Sequence, residues 1–158
     1  MTTMPKAAAF DGETLEIIAF RLHEQEFCVK TTTIREIRGW APSTPIPHAP
    51  PEVIGVMNLR GTVIPIIDLA HKLGMKSTVT NERSAIVVAE VHNMVIGLVD
   101  RVSDILTVQG SQVQPVPEVT ASFDKSFAEG IIANDQGMIC FLNLARMFKE
   151  RENDELAA

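Results

Sequence analysis

The chain has 158 residues, of which 46% are hydrophobic and 22% are charged, and its formal net charge is -6. This balance is typical of one folded domain and excludes a disordered or fibrous protein. Only 14 residues are Lys or Arg, and no apolar run approaches the roughly 20 residues of a membrane-spanning helix, so neither nucleic-acid binding nor direct membrane insertion is expected.

Short apolar segments rich in β-branched residues recur along the chain and predict β-strands. They occupy residues 15–22, 26–30, 62–69, 84–91, 94–102, 103–109, 128–133 and 137–142. Turn residues at 23–25 and 134–137 predict hairpins. Short helices are predicted where Asp68 and Asn143 can act as N-caps, the second close to the C terminus. The predicted fold class is therefore all-β, in the sense of mainly β with short helices.

The proline-rich stretch at 41–52 has no periodicity and predicts a stiff, extended surface connection. A proline-rich ligand for another domain is the open alternative. Cys28 and Cys140 each lie inside an apolar run, which favours buried and reduced thiols. Because the first residues lack the long apolar segment of a secretory signal, a cytoplasmic protein is expected.

Three pairs of segments align at similar spacing and predict an internal duplication. "PIIDLAHKL" aligns with "CFLNLARMF", "LHEQEFCV" with "VHNMVIGL", and "IREI" with "VSDI". Two small barrels that share a hydrophobic core are an economical solution for such halves. We expect one domain at 15–151, with lobes near 15–80 and 81–151 between which terminal strands can cross over, and flexible tails at 1–14 and 152–158.

Residues that could carry out chemistry form no motif. His23, His48, His71 and His92 are too far apart for a metal-ligand pattern, no nucleophile elbow is present, and the glycines are scattered. We therefore expect no catalytic, cofactor-binding or metal-binding residues, and no cofactor. This profile favours a protein that acts by contacting other proteins. The alternative is a small β-barrel ligand-binding protein or enzyme that uses His and Asp residues at the barrel mouth.

Arg60 lies in "NLRG", where the following glycine can adopt a backbone conformation that other residues resist. The turn is therefore expected to hold the guanidinium group in place. An arginine held in this way can brace neighbouring carbonyl or carboxylate groups, or anchor an interface through its planar set of donors. The residues alone leave these two roles open.

The segments "EFCVKTTTIREIRGW", "PPEVIGVMNLRGTVIPIIDL" and "GLVDRVSDILTV" resemble the CheW-type coupling proteins of bacterial chemotaxis. The resemblance implies two five-stranded SH3-like β-barrels with a shared hydrophobic core. It also implies a non-enzymatic adaptor that couples the signalling tips of chemoreceptors (methyl-accepting chemotaxis proteins) to the regulatory domain of the histidine kinase CheA. Such a protein is expected to be monomeric when free, and to join membrane receptor clusters and form arrays with its partners.

The same resemblance implies a set of partner-binding residues. These residues are Ile34, Glu36, Ile37, Gly55, Asn58, Arg60, Gly61, Val87 and Val88. The two valines match an apolar strand that lines the receptor groove between the barrels, and the first glycine matches the side that faces the kinase. The chain departs from the family pattern at Cys28, where glycine is usual, and at Gly97, which stands one residue nearer to Asp100 than is common.

Overall fold

The computed structural model describes residues 12–41, 43–91, 93–117, 125–134 and 137–148. The described residues form the strands β1 (Thr14–Leu22), β2 (Gln25–Lys30), β3 (Ile34–Gly39), β4 (Val53–Leu59), β5 (Thr62–Asp68), β6 (Ala85–Glu90), β7 (Met94–Val99), β8 (Arg101–Gln109), β9 (Val113–Gln114), β10 (Ala128–Asn134) and β11 (Gly137–Leu142). Helix α1 spans Leu69–Lys72, and a second short helix, α2, covers 144–148. The prediction of a mainly β fold is confirmed.

The strands form two sheets, each of which defines a lobe. The first lobe has the strand order β8-β1-β2-β11-β10-β9, and the second has β3-β6-β7-β5-β4. Neighbouring strands are antiparallel except at β2–β11 and β5–β7, which are parallel. The first lobe therefore adds a two-residue sixth strand, β9, to the five that were expected.

The two strand orders correspond to each other in a way that supports the internal duplication. Hairpin β1–β2 occupies in the first lobe the place that hairpin β6–β7 occupies in the second, with β8 matching β3 and β11 matching β5. Each lobe therefore takes one hairpin from the other half of the chain. The expected division near residues 80 and 81 does not follow this sheet membership, because the first lobe combines 14–30 with 101–142 and the second lobe contains 34–99.

Alternate residues of the strands point to opposite faces of each sheet, and this alternation divides the hydrophobic core. Ile17 and Cys28 belong to a cluster inside the first lobe, whereas Ile66 and Val88 belong to a cluster inside the second. A larger third cluster joins the lobes and includes Phe20, Phe27, Leu69, Val87 and Phe148. The shared hydrophobic core that the sequence predicted therefore lies between the lobes, and residues of both short helices belong to it.

Both helices begin as predicted. The Asp68 carboxylate accepts a hydrogen bond from the backbone N–H of His71, and the Asn143 side-chain oxygen accepts one from the N–H of Arg146 at 2.9 Å. Because these caps satisfy N–H groups that lack partners inside the helix, the chain can turn directly from a strand into a helix.

Cys28 and Cys140 are buried and free, as predicted. They lie on the paired strands β2 and β11, but Cys28 points into the first lobe and Cys140 into the core between the lobes. Burial raises the pKa of Cys140 to about 12, and burial together with the neighbouring Cys140 raises the pKa of Cys28 further. Both thiols therefore remain protonated and unreactive at neutral pH.

The expected tails fall mostly outside the described part of the chain. The C-terminal tail, 152–158, lies entirely outside it, and β1 begins at Thr14, the last residue of the expected N-terminal tail. In the proline-rich connection, Thr44 exchanges two backbone hydrogen bonds with Val56 of β4. This bridge covers part of the β4 edge, which would otherwise leave backbone groups unpaired.

Candidate functional site

Residues 59–62, which we call the outer turn, join β4 to β5. Arg60 and Gly61 have φ angles of 53° and 90°, and Leu59 pairs with Thr62. Two central residues with positive φ in a two-residue hairpin are typical of a type I′ turn. The Asn58 side-chain oxygen accepts a hydrogen bond from the Gly61 N–H at 2.9 Å and reinforces the turn. The sequence predicted that Gly61 adopts a backbone conformation other residues resist, but it did not predict the left-handed conformation of Arg60 itself.

The outer turn brings Arg60 to the side of β3. One of its guanidinium nitrogens lies 2.8 Å from a carboxylate oxygen of Glu36, although the Arg60 side chain is 77% exposed. Arg38 also approaches this carboxylate, at 3.7 Å. β3 and β4 are the two edges of their sheet, so the Glu36–Arg60 pair connects its open ends. Arg60 therefore has both of the features considered from the sequence: an internal ion pair and an exposed donor group.

The register of β3 against β6 separates the candidate residues into two groups. Ile37 stands opposite Val87, and Glu36 stands opposite Val88. Side chains that are directly opposite in an antiparallel pair share a face. Val87 belongs to the core between the lobes and Val88 to the interior of the second lobe. Ile37 therefore lies on the face that points toward the other lobe, and 38% of it remains exposed.

Four of the candidate residues offer little or no side-chain surface to a partner, and one of them, Val87, is only 4% exposed. Val88 is only 1% exposed. Gly55 is buried, and a Cβ atom added there would overlap the carbonyl oxygen of Thr44, so this glycine lets the proline-rich connection pack closely on β4. Ile34 is partly buried against the core between the lobes. Gly55 and Val88 can influence binding only through the packing beneath the surface.

The apolar space between the lobes is already filled by this chain. A narrow pocket remains there, lined by Phe20, Val29, Leu69, Val87, Ala89, Val95, Gly97, Leu144 and Phe148. A Cβ atom at Gly97 would lie 2.9 Å from Leu69, so the glycine allows α1 to pack directly on β7. The expected groove is therefore closed at depth by α1 and α2, and only its rim is accessible.

Val63 was missed as a candidate surface residue. It is 63% exposed and stands opposite Asn58 in the β4–β5 hairpin. Its apolar run predicts a buried strand, but the alternation within β5 buries Ile64 and leaves Val63 outside. The sequence of this run, TVIPIID, is apolar on both faces and gives no signal that separates them. The exposed face of the hairpin therefore presents the apolar side chain of Val63 beside Asn58.

Other kinds of site find no support in the described part of the chain. No cluster of three or more His, Cys, Asp or Glu side chains is placed to hold a metal ion among the described residues. The buried carboxylate of Asp68 is satisfied by Thr78 and the α1 cap. None of the described helices is long and apolar enough to cross a membrane.

Comparison with known proteins gives consistent matches. The family model of the CheW-like domain matches residues 16–152. The probable chemotaxis protein CheW of Rhizobium etli is 51% identical over 140 residues, which cover 88% of this chain and 90% of that protein. The chemotaxis protein CheW of Rhizobium meliloti is 50% identical with the same coverage. The crystal structure of the scaffolding protein TtCheW from Thermoanaerobacter tengcongensis has a TM-score of 0.78 at 29% identity, covering 85% of this chain and 92% of that one.

Proposed function

The chain belongs to the CheW-like family, and on this premise we propose that it couples chemoreceptor signalling tips to the regulatory domain of the histidine kinase CheA. It is a chemotaxis scaffold and not an enzyme, which removes the alternative of a small catalytic barrel. We further propose that it is monomeric when free and works on the cytoplasmic side of membrane receptor clusters, where it forms arrays with both partners.

The observation that carries this proposal is the exposed, rigid outer turn beside β3. We define the contact surface as Glu36, Ile37, Asn58, Arg60 and Gly61. Arginine and large apolar side chains anchor many protein interfaces, and an arginine that is already held in place loses little conformational freedom on binding. The type I′ geometry and the Glu36 carboxylate supply this preorganisation.

The remaining candidate residues support this surface from below. Val87 lies opposite Ile37 on the same face of the sheet and lines the narrow pocket between the lobes, so it packs at the side of Ile37. Val88 and Gly55 fix the positions of β6 and β4, and Ile34 anchors the start of β3. We propose that an amphipathic receptor helix packs on the rim formed by Ile37 while Arg60 sets its register.

Replacement of Arg60 by alanine tests this role. We expect Arg60→Ala to weaken binding by at least about tenfold, which is typical of an interface anchor worth more than 1 kcal/mol. Thermal stability should change little, because an exposed ion pair contributes about 0–1 kcal/mol. Binding is measured by calorimetry with a receptor tip fragment and, separately, with the regulatory domain of CheA.

Arg101→Ala is the matched control. Arg101 is also an exposed arginine, and it lies on β8 of the first lobe, outside the contact surface. This variant should retain normal binding. If Arg60→Ala lowers the melting temperature strongly while its folded fraction binds both partners normally, Arg60 is a structural brace and the contact surface is wrong.

Ile37→Asp tests the apolar part of the surface. A carboxylate at this partly exposed position should abolish receptor binding while the protein remains folded, because the side chain can reach water. Val63→Asp serves as a comparison from the neighbouring hairpin and shows how far the apolar contact extends. Unchanged binding of the receptor tip to Ile37→Asp would remove β3 from the interface.

A further inference from the structure

A polar cavity of about 280 Å³ lies on the side of the molecule where the β1–β2 turn meets the segment before β6. Its lining includes Arg21, Arg83, Arg101, His23 and Asp100. Three guanidinium groups and one carboxylate thus line one cavity in a chain whose net charge is -6. None of these residues belongs to the contact surface defined above.

The arginines converge from distant parts of the chain. Arg21 of β1 stands directly opposite Arg101 of β8 in the antiparallel register, so their side chains share a face. Like charges in this arrangement repel each other. Arg83 comes from the segment that precedes β6 of the other lobe. A cluster of this kind lowers the stability of the fold unless an anion lies between its members.

The lining of the cavity has a net positive charge, because it contains three arginines and one carboxylate, that of Asp100. Arg21 lies 3.8 Å from Glu26 and donates a hydrogen bond to the Glu24 carbonyl oxygen, so its charge is partly compensated. Arg83 and Arg101 form no side-chain ion pair or hydrogen bond within the described part of the chain. One oxygen of Asp100 accepts the backbone N–H of His23, and its carboxylate offsets only one of the three positive charges.

The floor of the cavity is held rigidly. The His23 ring donates from Nε2 to the Lys76 carbonyl oxygen at 2.7 Å, and the Asp100 N–H donates to the Arg21 carbonyl oxygen at 3.0 Å. The segment on the other side is fixed by the Asn81 side chain, which accepts the Arg83 N–H at 2.7 Å. The backbone that carries the cationic side chains is therefore in place before any ligand arrives.

We infer that this cavity is a binding site for a small ligand that carries a phosphate group, held by the guanidinium groups of Arg21, Arg83 and Arg101. Guanidinium groups form paired hydrogen bonds to phosphate oxygens, and a dianion removes the repulsion between Arg21 and Arg101. The volume of about 280 Å³ is just below the roughly 300–1,000 Å³ typical of small-molecule sites, which favours a compact ligand. The inference does not depend on the proposed coupling role.

The test measures binding of inorganic phosphate and of glycerol phosphate to the full chain by calorimetry, with chloride used to hold the ionic strength constant. Both probes carry the same group, and their relative affinity distinguishes the free ion from an organic monoester. We expect saturable binding in the millimolar range or tighter, and a rise in melting temperature that follows the occupancy of the site.

Arg83→Gln and Arg101→Gln should each weaken phosphate binding by about tenfold, since a hydrogen bond to a charged group is lost. Arg35→Gln removes the same charge from an exposed site elsewhere and should leave the affinity unchanged. Without phosphate, Arg101→Gln should not lower the melting temperature, because it relieves repulsion. Absence of saturable binding to the original chain, or equal affinity in all three variants, would overturn the inference.

Discussion

Two hairpin turns of this molecule share a positive φ angle at their first central residue, but the contacts of that residue differ. The outer turn (59–62) and the turn at 22–25, which we call the inner turn, each have two central residues, of which the first is a non-glycine residue with positive φ: Arg60 at 53° and His23 at 59°. The inner turn is tied to Asp100 and to Lys76, which belongs to the segment after α1. The outer turn has one exposed ion pair.

The two turns place a residue with a strained backbone in different surroundings. A left-handed conformation costs a non-glycine residue roughly 1–2 kcal/mol. At the inner turn, the conformation directs His23 into contacts between distant parts of the chain, so the strain supports the fold. At the outer turn, it directs Arg60 toward solvent beside Glu36, so the strain supports presentation of a side chain. Substitutions should therefore affect stability at the inner turn and binding at the outer turn.

The largest effect on stability is expected from Asp100→Ala. This change leaves the His23 N–H without its acceptor, and we expect the free energy of unfolding to fall by about 1–3 kcal/mol. Urea denaturation measures the change, with Asp104→Ala as an exposed control that should stay within about 0.5 kcal/mol. Binding to receptor tips should be normal. Equal stability of the two variants would remove the distinction between the turns.

Glycine substitutions should have different effects on stability at the two turns. Arg60→Gly relieves the left-handed strain and should raise the free energy of unfolding by about 0.5–1 kcal/mol, after allowance for the greater freedom of glycine in the unfolded chain. His23→Gly gains the same relief but loses the bond from the ring to Lys76, so its stability should not rise. Thermal and urea unfolding of both variants test this contrast. A stability gain at both positions would show that the His23 contacts contribute little.

A smaller effect is expected for Asn58→Ala. The lost acceptor for the Gly61 N–H is exposed to solvent, so water replaces it at a cost of about 0.5 kcal/mol. Amide hydrogen exchange should accelerate at Gly61 and remain unchanged at His23. Protection of Gly61 equal to that in the original chain would mean that the type I′ geometry holds without its side-chain support.

The coupling between Glu36 and Arg60 is also expected to be weak. A double-mutant cycle with alanine at both positions should give a coupling energy of about 0.2–1 kcal/mol in unfolding measurements. The value should decrease at 1 M salt, where charges are screened over about 3 Å. A coupling energy of several kcal/mol that persists in salt would make the outer turn a structural tie like the inner one.

The residues that were predictable from the sequence are those whose signals are local. Turn residues at 23–25 predicted the inner turn, and Asp68 and Asn143 predicted the starts of the helices. β3 and β4 were not among the predicted strands. Three of the six residues of β3 are charged, and the apolar residues of β4 are interrupted at Gly55 and Asn58. Both strands are sheet edges with exposed positions, so neither presents the continuous apolar run of a central strand.

Features that depend on long-range pairing could not be predicted. The Glu36–Arg60 ion pair requires the two edges of one sheet to approach, and no local pattern specifies this approach. The arginine cavity likewise combines residues of three separate segments. Val87 and Val88 were grouped together because the β6 sequence is apolar on both faces, which hides the alternation that separates them.

The exchange of hairpins between the lobes has a consequence for synthesis on the ribosome. β1 and β2 emerge early, but their neighbours in the sheet, β8 and β11, belong to the other half of the chain. Until those strands are translated, the nascent hairpin has two unpaired edges and apolar faces that chaperones can recognise. The second lobe, whose strands are contiguous in sequence, can fold first and serve as the template on which the first lobe closes.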